Sequence, residues 1–267
     1  MIPEPAQDNG VRGWAPARQT LRALLARQAD LGLSTAAVEA MVCRMSFLCC
    51  QAGQEVVPEG GPAGVVGVVV GGVVKIICES PSSKPITVEM VGAGGILQLD
   101  ADACPSGYDV TAVAHTPALI AYLPSTAWRE VACHLRVEEC LRLAARTWRT
   151  LSCRLYERSA LLAMPVPGRV LHQLNVLARD FGRPHPSGVC IDLPLSHADL
   201  AALVGAARAN VTRAVVALRA SGHLLRVPGR FVLAAREPGR DSEAVLRDVL
   251  GYDPARIETL RRSGALG

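Results

Sequence analysis

From Ser125 to Met164 the chain runs without a glycine, and Pro165 and Pro167 close the stretch. Within it Val131, Leu135, Leu141, Ala144, Ala145, Trp148, Leu151, Leu155 and Leu162 recur at three- and four-residue steps, with Arg and Glu in the gaps. That period predicts a long amphipathic helix that stops at the prolines. A helix of this length carries more apolar surface than one small domain can cover. Trp148, Leu151 and Leu155 therefore read as a dimer interface, the seam of a coiled coil with a second copy of the chain. The other reading is a bent helix lying on its own β-domain.

The texture upstream is different. From about Phe47 to Leu123, short β-branched runs alternate with turn residues: Val56-Val57, Val65 to Val70, Val73 to Cys78, Ile86 to Val91, Val110 to Ala114 and Ala118 to Leu123. Short strands at this spacing predict an antiparallel sandwich or barrel. Ahead of them, Leu21, Leu24, Leu25, Val38, Met41 and Val42 predict two short helices. These break near Gly32, with Ser34 as N-cap of the second. Residues 1–16, rich in Pro and Gly, are expected to be disordered. Beyond Pro167 the pattern predicts a helix at 168–181, a polar turn, a strand around 189–193, a helical pair over 196–222 and a β-pair around 224–234. Two further helices are expected in the tail, 241–266. The fold class is α+β. Residues 17–126 form a β-roll, 127–164 a dimerisation helix, 165–236 a winged helix-turn-helix and 237–267 a helical tail.

No apolar run reaches the ~18–20 residues that cross a bilayer. The N-terminus lacks a basic segment followed by an apolar one, so the expected location is cytoplasmic. Nine cysteines, an odd number with no CxxC pair, argue against a disulfide framework. Charge is distributed unevenly. Residues 1–126 carry 7 Lys/Arg against 11 Asp/Glu, whereas residues 158–236 carry 10 Arg and only 3 acids. One segment is thus built to approach a polyanion.

Within that segment the stretch from Leu195 to Arg213 is the most specific signal. Ser196 can cap a helix and Asp199 stands at its third position, as in a capping box. Leu200, Leu203 and Val204 face inward, and Ala201 is small where two helices cross. Gly205 gives the backbone freedom for a tight turn. Val211, Val215 and Leu218 make the buried face of the next helix. Its opposite face presents Arg208, Asn210, Thr212 and Arg213, which can address guanine and adenine edges or phosphates. Leu224 to Leu233 then alternates around Pro228-Gly229, a wing carrying Arg226 and Arg230. The expected DNA contacts are Ser196, Arg208, Asn210, Thr212, Arg213, Arg226 and Arg230.

This order of β-barrel, long helix and winged helix-turn-helix resembles the CRP/FNR family of bacterial transcription regulators, over roughly residues 40–236. Ala52-Gly53-Gln54-Glu55 with Glu59-Gly60 looks like the family's early turns. Val66 to Val70, Gly71-Gly72 and Val73-Val74-Lys75 look like its next hairpin. Asp199-Leu200-Ala201, Val204-Gly205 and Arg208 through Arg213 follow its helix-turn-helix. The resemblance implies a homodimer that binds near-palindromic double-stranded DNA and works with RNA polymerase.

Two departures stand out. The family's glutamate after the arginine matching Arg208 is Ala209 here, so the operator should differ. Members that bind cyclic nucleotides carry Gly-Glu-Leu and then Arg-Ser/Thr-Ala, in which the glutamate holds the ribose and the arginine the cyclic phosphate. Here the stretch reads Gly94-Gly95-Ile96-Leu97, then Pro105-Ser106-Gly107, and no arginine lies between Arg44 and Arg129. A phosphate without a guanidinium loses a strong contact. The effector is therefore not expected to be cyclic AMP. The pocket that would hold another is placed at Gly94, Gly95, Ile96, Leu97 and Ser106, with Arg154 and Leu155.

The input stays open at this point, and no cofactor is assigned. An iron–sulfur cluster would need Cys43, Cys49 and Cys50, of which two are adjacent and poor co-ligands. Haem on Cys78, Cys104 or His115 has no motif behind it. An organic effector in a more apolar barrel, or none, are the other readings. The tail from Ala244 to Leu266 resembles the closing segment of class III CoA-transferases, which would imply an acyl-CoA or organic-acid context. The other reading of it is a packed helical hairpin. Enzymes and protein-interaction modules also carry winged helices, but the chain has no nucleophile elbow, P-loop, dinucleotide fingerprint or HExxH. No metal site is expected.

Overall fold

A computed structural model describes residues 14–27, 32–57, 65–80, 83–97, 111–133, 135–235, 247 and 253–262. The chain divides into two compact units, Met1–Cys153 and Arg154–Gly267, and the division falls inside a long helix.

The first unit opens with α1 (Ala15–Arg27) and α2 (Thr35–Arg44). Ser34 caps α2 by accepting from the Ala37 N–H, as its position after the Gly32 break predicted. α1 starts at Ala15, inside the stretch 1–16 expected to be disordered, because Trp14 is held on the ring of Phe47. Trp14 stacks on Phe47 at 5.3 Å, and the Arg18 guanidinium lies over the same ring while donating to the Val42 carbonyl. Residues 1–13 lie outside the described ones.

Seven strands follow: β1 (Ser46–Cys50), β2 (Glu55–Val57), β3 (Val65–Gly71), β4 (Val74–Ser80), β5 (Ser83–Val91), β6 (Thr111–Ala114) and β7 (Ala118–Pro124). They make two antiparallel sheets, β1-β7-β3 and β2-β6-β4-β5. The run Val68-Val69-Val70 is buried throughout, because the β1-β7-β3 sheet is covered on both sides. Val68 and Val70 meet α1 and α2 together with Leu21, Val42 and Leu123. Val69 points the other way, into the core shared with Val74, Val91, Ala114 and Ile120. The expected hairpin across Gly71-Gly72 is not one. β3 and β4 belong to different sheets, and the glycine pair carries the chain between them. A Cβ on Gly72 would sit 2.2 Å from the Pro117 carbonyl, so the crossing is close-packed.

The glycine-free stretch forms two helices rather than one, α3 (Ser125–Ala132) and α4 (Val137–Leu162). Glu139 sets the break. Its carboxylate accepts from the Arg136 N–H at 2.8 Å, capping α4, and from the Ser34 N–H at 2.6 Å, at the start of α2. No glycine or proline marks this break, because a side chain makes it.

The second unit contains α5 (Val166–Phe181), β8 (Gly182–His185), β9 (Gly188–Ile191), α6 (His197–Val204), α7 (Arg208–Ala220), β10 (Val232–Ala234) and α8 (Pro254–Arg262). The segment read as a polar turn after α5 is partly a strand. β8 sits at the edge of the sheet β10-β9-β8, where Pro184 is tolerated. Of the two helices expected in the tail, α8 is formed. The first lies outside the described residues except for Arg247.

Candidate nucleic-acid interface

The helix-turn-helix is held together from below. Leu200, Leu203, Val204, Val211, Ala214, Val215 and Leu218 are buried, and α5 packs on both α6 and α7. The axis bends by 104° between α6 and α7, within the range of DNA-binding helix pairs. Ser196 and Asp199 form the complete capping box: Asp199 N–H donates to Ser196 Oγ, and Ser196 N–H donates to Asp199 Oδ2 at 2.9 Å. The Ser196 hydroxyl also donates to Asp199 Oδ2 at 2.6 Å. Gly205 ends α6 in the left-handed region at φ 61°, the conformation that its place between two helices called for.

This frame leaves one face of α7 in solvent. Arg208, Asn210 and Arg213 are exposed on it. Arg213 donates to Asn210 Oδ1 at 2.6 Å, so the two present a joint polar edge. Thr212 is half-buried, and its hydroxyl lies 2.9 Å from His197 Nδ1. Sequence reading passed over His197, one of six scattered histidines. It stands in the first turn of α6, touches Thr212 on α7 and lies against the Phe231 ring of the wing. Burial holds its pKa below the ordinary value, and the Arg219 and Arg208 charges add to that. Its place one turn before Leu200 and Ala201 was the available signal.

The wing is a tight loop rather than a pair of long strands. Bridges at Leu224↔Leu233 and Val227↔Arg230 flank the turn, where Gly229 has φ 67°. Arg226 and Arg230 stand on either side of it, and the Arg230 guanidinium reaches Cys190 Sγ at 3.9 Å.

The residues expected to line an effector pocket are described in part. Gly94 to Leu97 pairs with β3: Gly94 N–H donates to Val69 O, Val69 N–H to Gly95 O, and Leu97 N–H to Gly67 O. Ile96 packs on the helix-facing core and Leu97 on the inter-sheet core. Ser106 is outside the described residues. Arg154 and Leu151 lie on α4, with side chains outside the description. Along the same helix Leu141 is 64% exposed, Trp148 75%, Leu155 69% and Leu162 78%, an unbroken seven-residue repeat.

Of the cysteines considered for a cluster, Cys43 and Cys49 are exposed and Cys50 is buried. Burial raises the Cys50 thiol, which disfavours the thiolate a metal needs. Among the described residues no three His, Cys, Asp or Glu side chains gather as a metal site, and no single helix is long and apolar enough to cross a membrane.

A capped, steeply bent helix pair with an arginine-bearing face and a basic wing defines the class of winged-helix DNA-binding proteins. Residues 168–237 match the Crp-like helix-turn-helix domain family. The chain is 31% identical over 169 residues to the global nitrogen regulator of Synechococcus elongatus, covering 61% of this chain and 73% of that protein. It is 26% identical over 218 residues to a CRP-like cAMP-activated global transcriptional regulator of Mycobacterium tuberculosis, covering 81% and 93%. In fold it is similar to FixK2 of Bradyrhizobium japonicum, with TM-score 0.62 and 20% identity over 72% of this chain and 93% of that one. The chain belongs to the CRP/FNR family of DNA-binding transcription regulators.

Proposed function

We propose that the chain acts as a homodimer that reads a near-palindromic operator through the helix at 207–220, under control of an input other than cyclic AMP. The observation that carries this is the solvent face of α7, where Arg208, Asn210 and Arg213 stand free of the core on a capped frame. On this reading Arg208 and Arg213 reach base edges and phosphate, Asn210 and Thr212 support them, and Arg226 and Arg230 hold the backbone from the wing. Ser196 contributes through its cap. Ala209 removes an acceptor next to Arg208, so the preferred bases differ from the usual family site.

The exposed repeat Leu141, Trp148, Leu155, Leu162 supports dimerisation through α4. Four large apolar side chains on one helix face are not a stable surface for a monomer. Two copies related by a twofold axis would present two α7 helices to successive major-groove faces. The proposed division of labour is a β-roll sensor at 17–126, the dimer helix at 127–164, the DNA-binding part at 165–236 and an accessory tail at 237–267. RNA polymerase is the expected further partner, and the cytoplasm the expected compartment.

Ile96 in place of a ribose-binding glutamate, and the absence of any arginine between Arg44 and Arg129, support an effector other than cyclic AMP. Ile96 and Leu97 packed into the two cores make this edge of the roll apolar, which favours an organic effector if one binds there. Footprinting on DNA upstream of the chain's own coding region tests the reading. Two protected half-sites about 10 base pairs apart, or a multiple of that, are expected. A single half-site, or no protection, would contradict it.

A further inference from the structure

The last turns of α7 and the wing turn enclose a cleft of about 420 Å³, lined by Val216, Arg219, Arg226, Val227, Pro228 and Gly229. We propose that this cleft seats a DNA-backbone phosphate, with Arg219 as its principal cation and Arg226 as the second wall. The inference rests on the DNA-binding reading above and adds a residue to it.

Three observations point to an anion. The Nε of Arg219 is buried and has no hydrogen-bond partner among the described residues. The Arg219 guanidinium lines the cleft, where an oxyanion would accept directed, charge-assisted bonds from it. Neither Arg219 nor Arg226 is paired with a carboxylate among the described residues. The sequence from Leu200 to Ala235 contains five arginines and no acid, so the helix and wing that form the cleft bring no carboxylate of their own. Gly229, at φ 67° with open space where a Cβ would stand, keeps the wing turn low at its rim.

Position along the helix selects DNA as the source of the phosphate. Arg219 lies eleven residues after Arg208, three full turns, so the two share one stripe about 16 Å apart. With Arg208 at the N-terminal end of α7 in the major groove, Arg219 stands three turns further along, where a straight helix parts from the curving groove toward the flanking backbone. Val216, 57% exposed beside Arg219, offers an apolar contact for a deoxyribose. Arg208 and Arg219 both depress the same histidine, His197, in keeping with a continuous positive stripe.

The test is fluorescence anisotropy with the full chain, on a duplex from its own upstream DNA and on a scrambled duplex of equal length, over a series of salt concentrations. Arg219→Gln is expected to weaken both duplexes by about tenfold and to lower the salt slope by about 1. Arg219→Lys should keep the slope while losing part of the affinity, and Arg226→Gln should act in the same direction as Arg219→Gln. Thermal melts confirm that each variant is folded. Wild-type-like binding and slope in folded Arg219→Gln would overturn the phosphate seat while leaving DNA binding intact. Weakening confined to the upstream duplex would make Arg219 a base reader and also overturn it. If inorganic phosphate stabilises wild type but not Arg219→Gln, while duplex binding is unchanged in the variant, the cleft belongs to a free anion and the proposal fails. A wild type with no salt-sensitive DNA binding would overturn the DNA reading itself.

Discussion

At the scale of single residues, Glu139 shows how a buried charge fixes chain direction. It is 1% exposed, and its two oxygens bind the starts of two helices distant in sequence. The Arg136 and Ser34 backbone donors hold its pKa down from 4.5 to about 2. Folding therefore favours the ionised form. The stability it contributes is complete above pH 4.5 and is lost as pH falls toward 2. Thermal melts should show Glu139→Gln less stable than wild type at neutral pH, and less sensitive to acid within that window. Equal acid sensitivity in both would contradict the clamp. His197 has the same sign of dependence for the opposite reason. Burial and the arginines disfavour its proton in the fold, so acidification below its ordinary 6.5 costs stability. His197→Gln should flatten the stability profile between pH 6.5 and 5, about the range where an unfolded histidine takes up its proton. A profile unchanged by the substitution would show that His197 is not strained.

At the scale of elements, α6 and α7 were the most legible part of the chain. Every device there is local: the Ser196–Asp199 box, the left-handed Gly205, and the apolar spacing of Val211, Val215 and Leu218. What escaped sequence reading depends on distant partners. At the break between α3 and α4, the Glu139 carboxylate that caps α4 also binds the Ser34 N–H, over a hundred residues away. The strand β8 exists because β9 pairs with it, not because Arg183-Pro184 favours extension. The crossing at Gly71-Gly72 looks like a hairpin turn until the sheets are seen to differ. Likewise Arg219 is one basic residue among many until the wing folds beside it. The long helix α4 carries its own prediction. Leu155→Glu places a charge in the proposed seam and should shift the protein from dimer to monomer in analytical ultracentrifugation, with Trp148→Glu acting similarly. Dimers of unchanged affinity in both variants would refute the seam.

At the scale of the whole molecule, the output and input ends differ in how they can be read. A DNA-reading face is a pattern of side chains on one helix, so it shows in sequence. An effector site is assembled from edges of a β-roll, and here the edge at Gly94 to Leu97 is closed by backbone pairing to β3. Isothermal titration with cyclic AMP should give no affinity tighter than about 10 µM, roughly −7 kcal/mol. A tighter site would mean that another cation replaces the missing arginine. The role of α7 is read out by salt-dependent binding of duplex from the chain's own upstream DNA, comparing wild type with Arg208→Ala and Arg213→Ala. Wild type should bind that duplex better than a scrambled one, with an affinity that falls steeply as salt rises. Each variant should lose about 1–3 kcal/mol and most of the sequence preference. Unchanged affinity and preference in both variants would contradict the assignment of α7 as the reading helix.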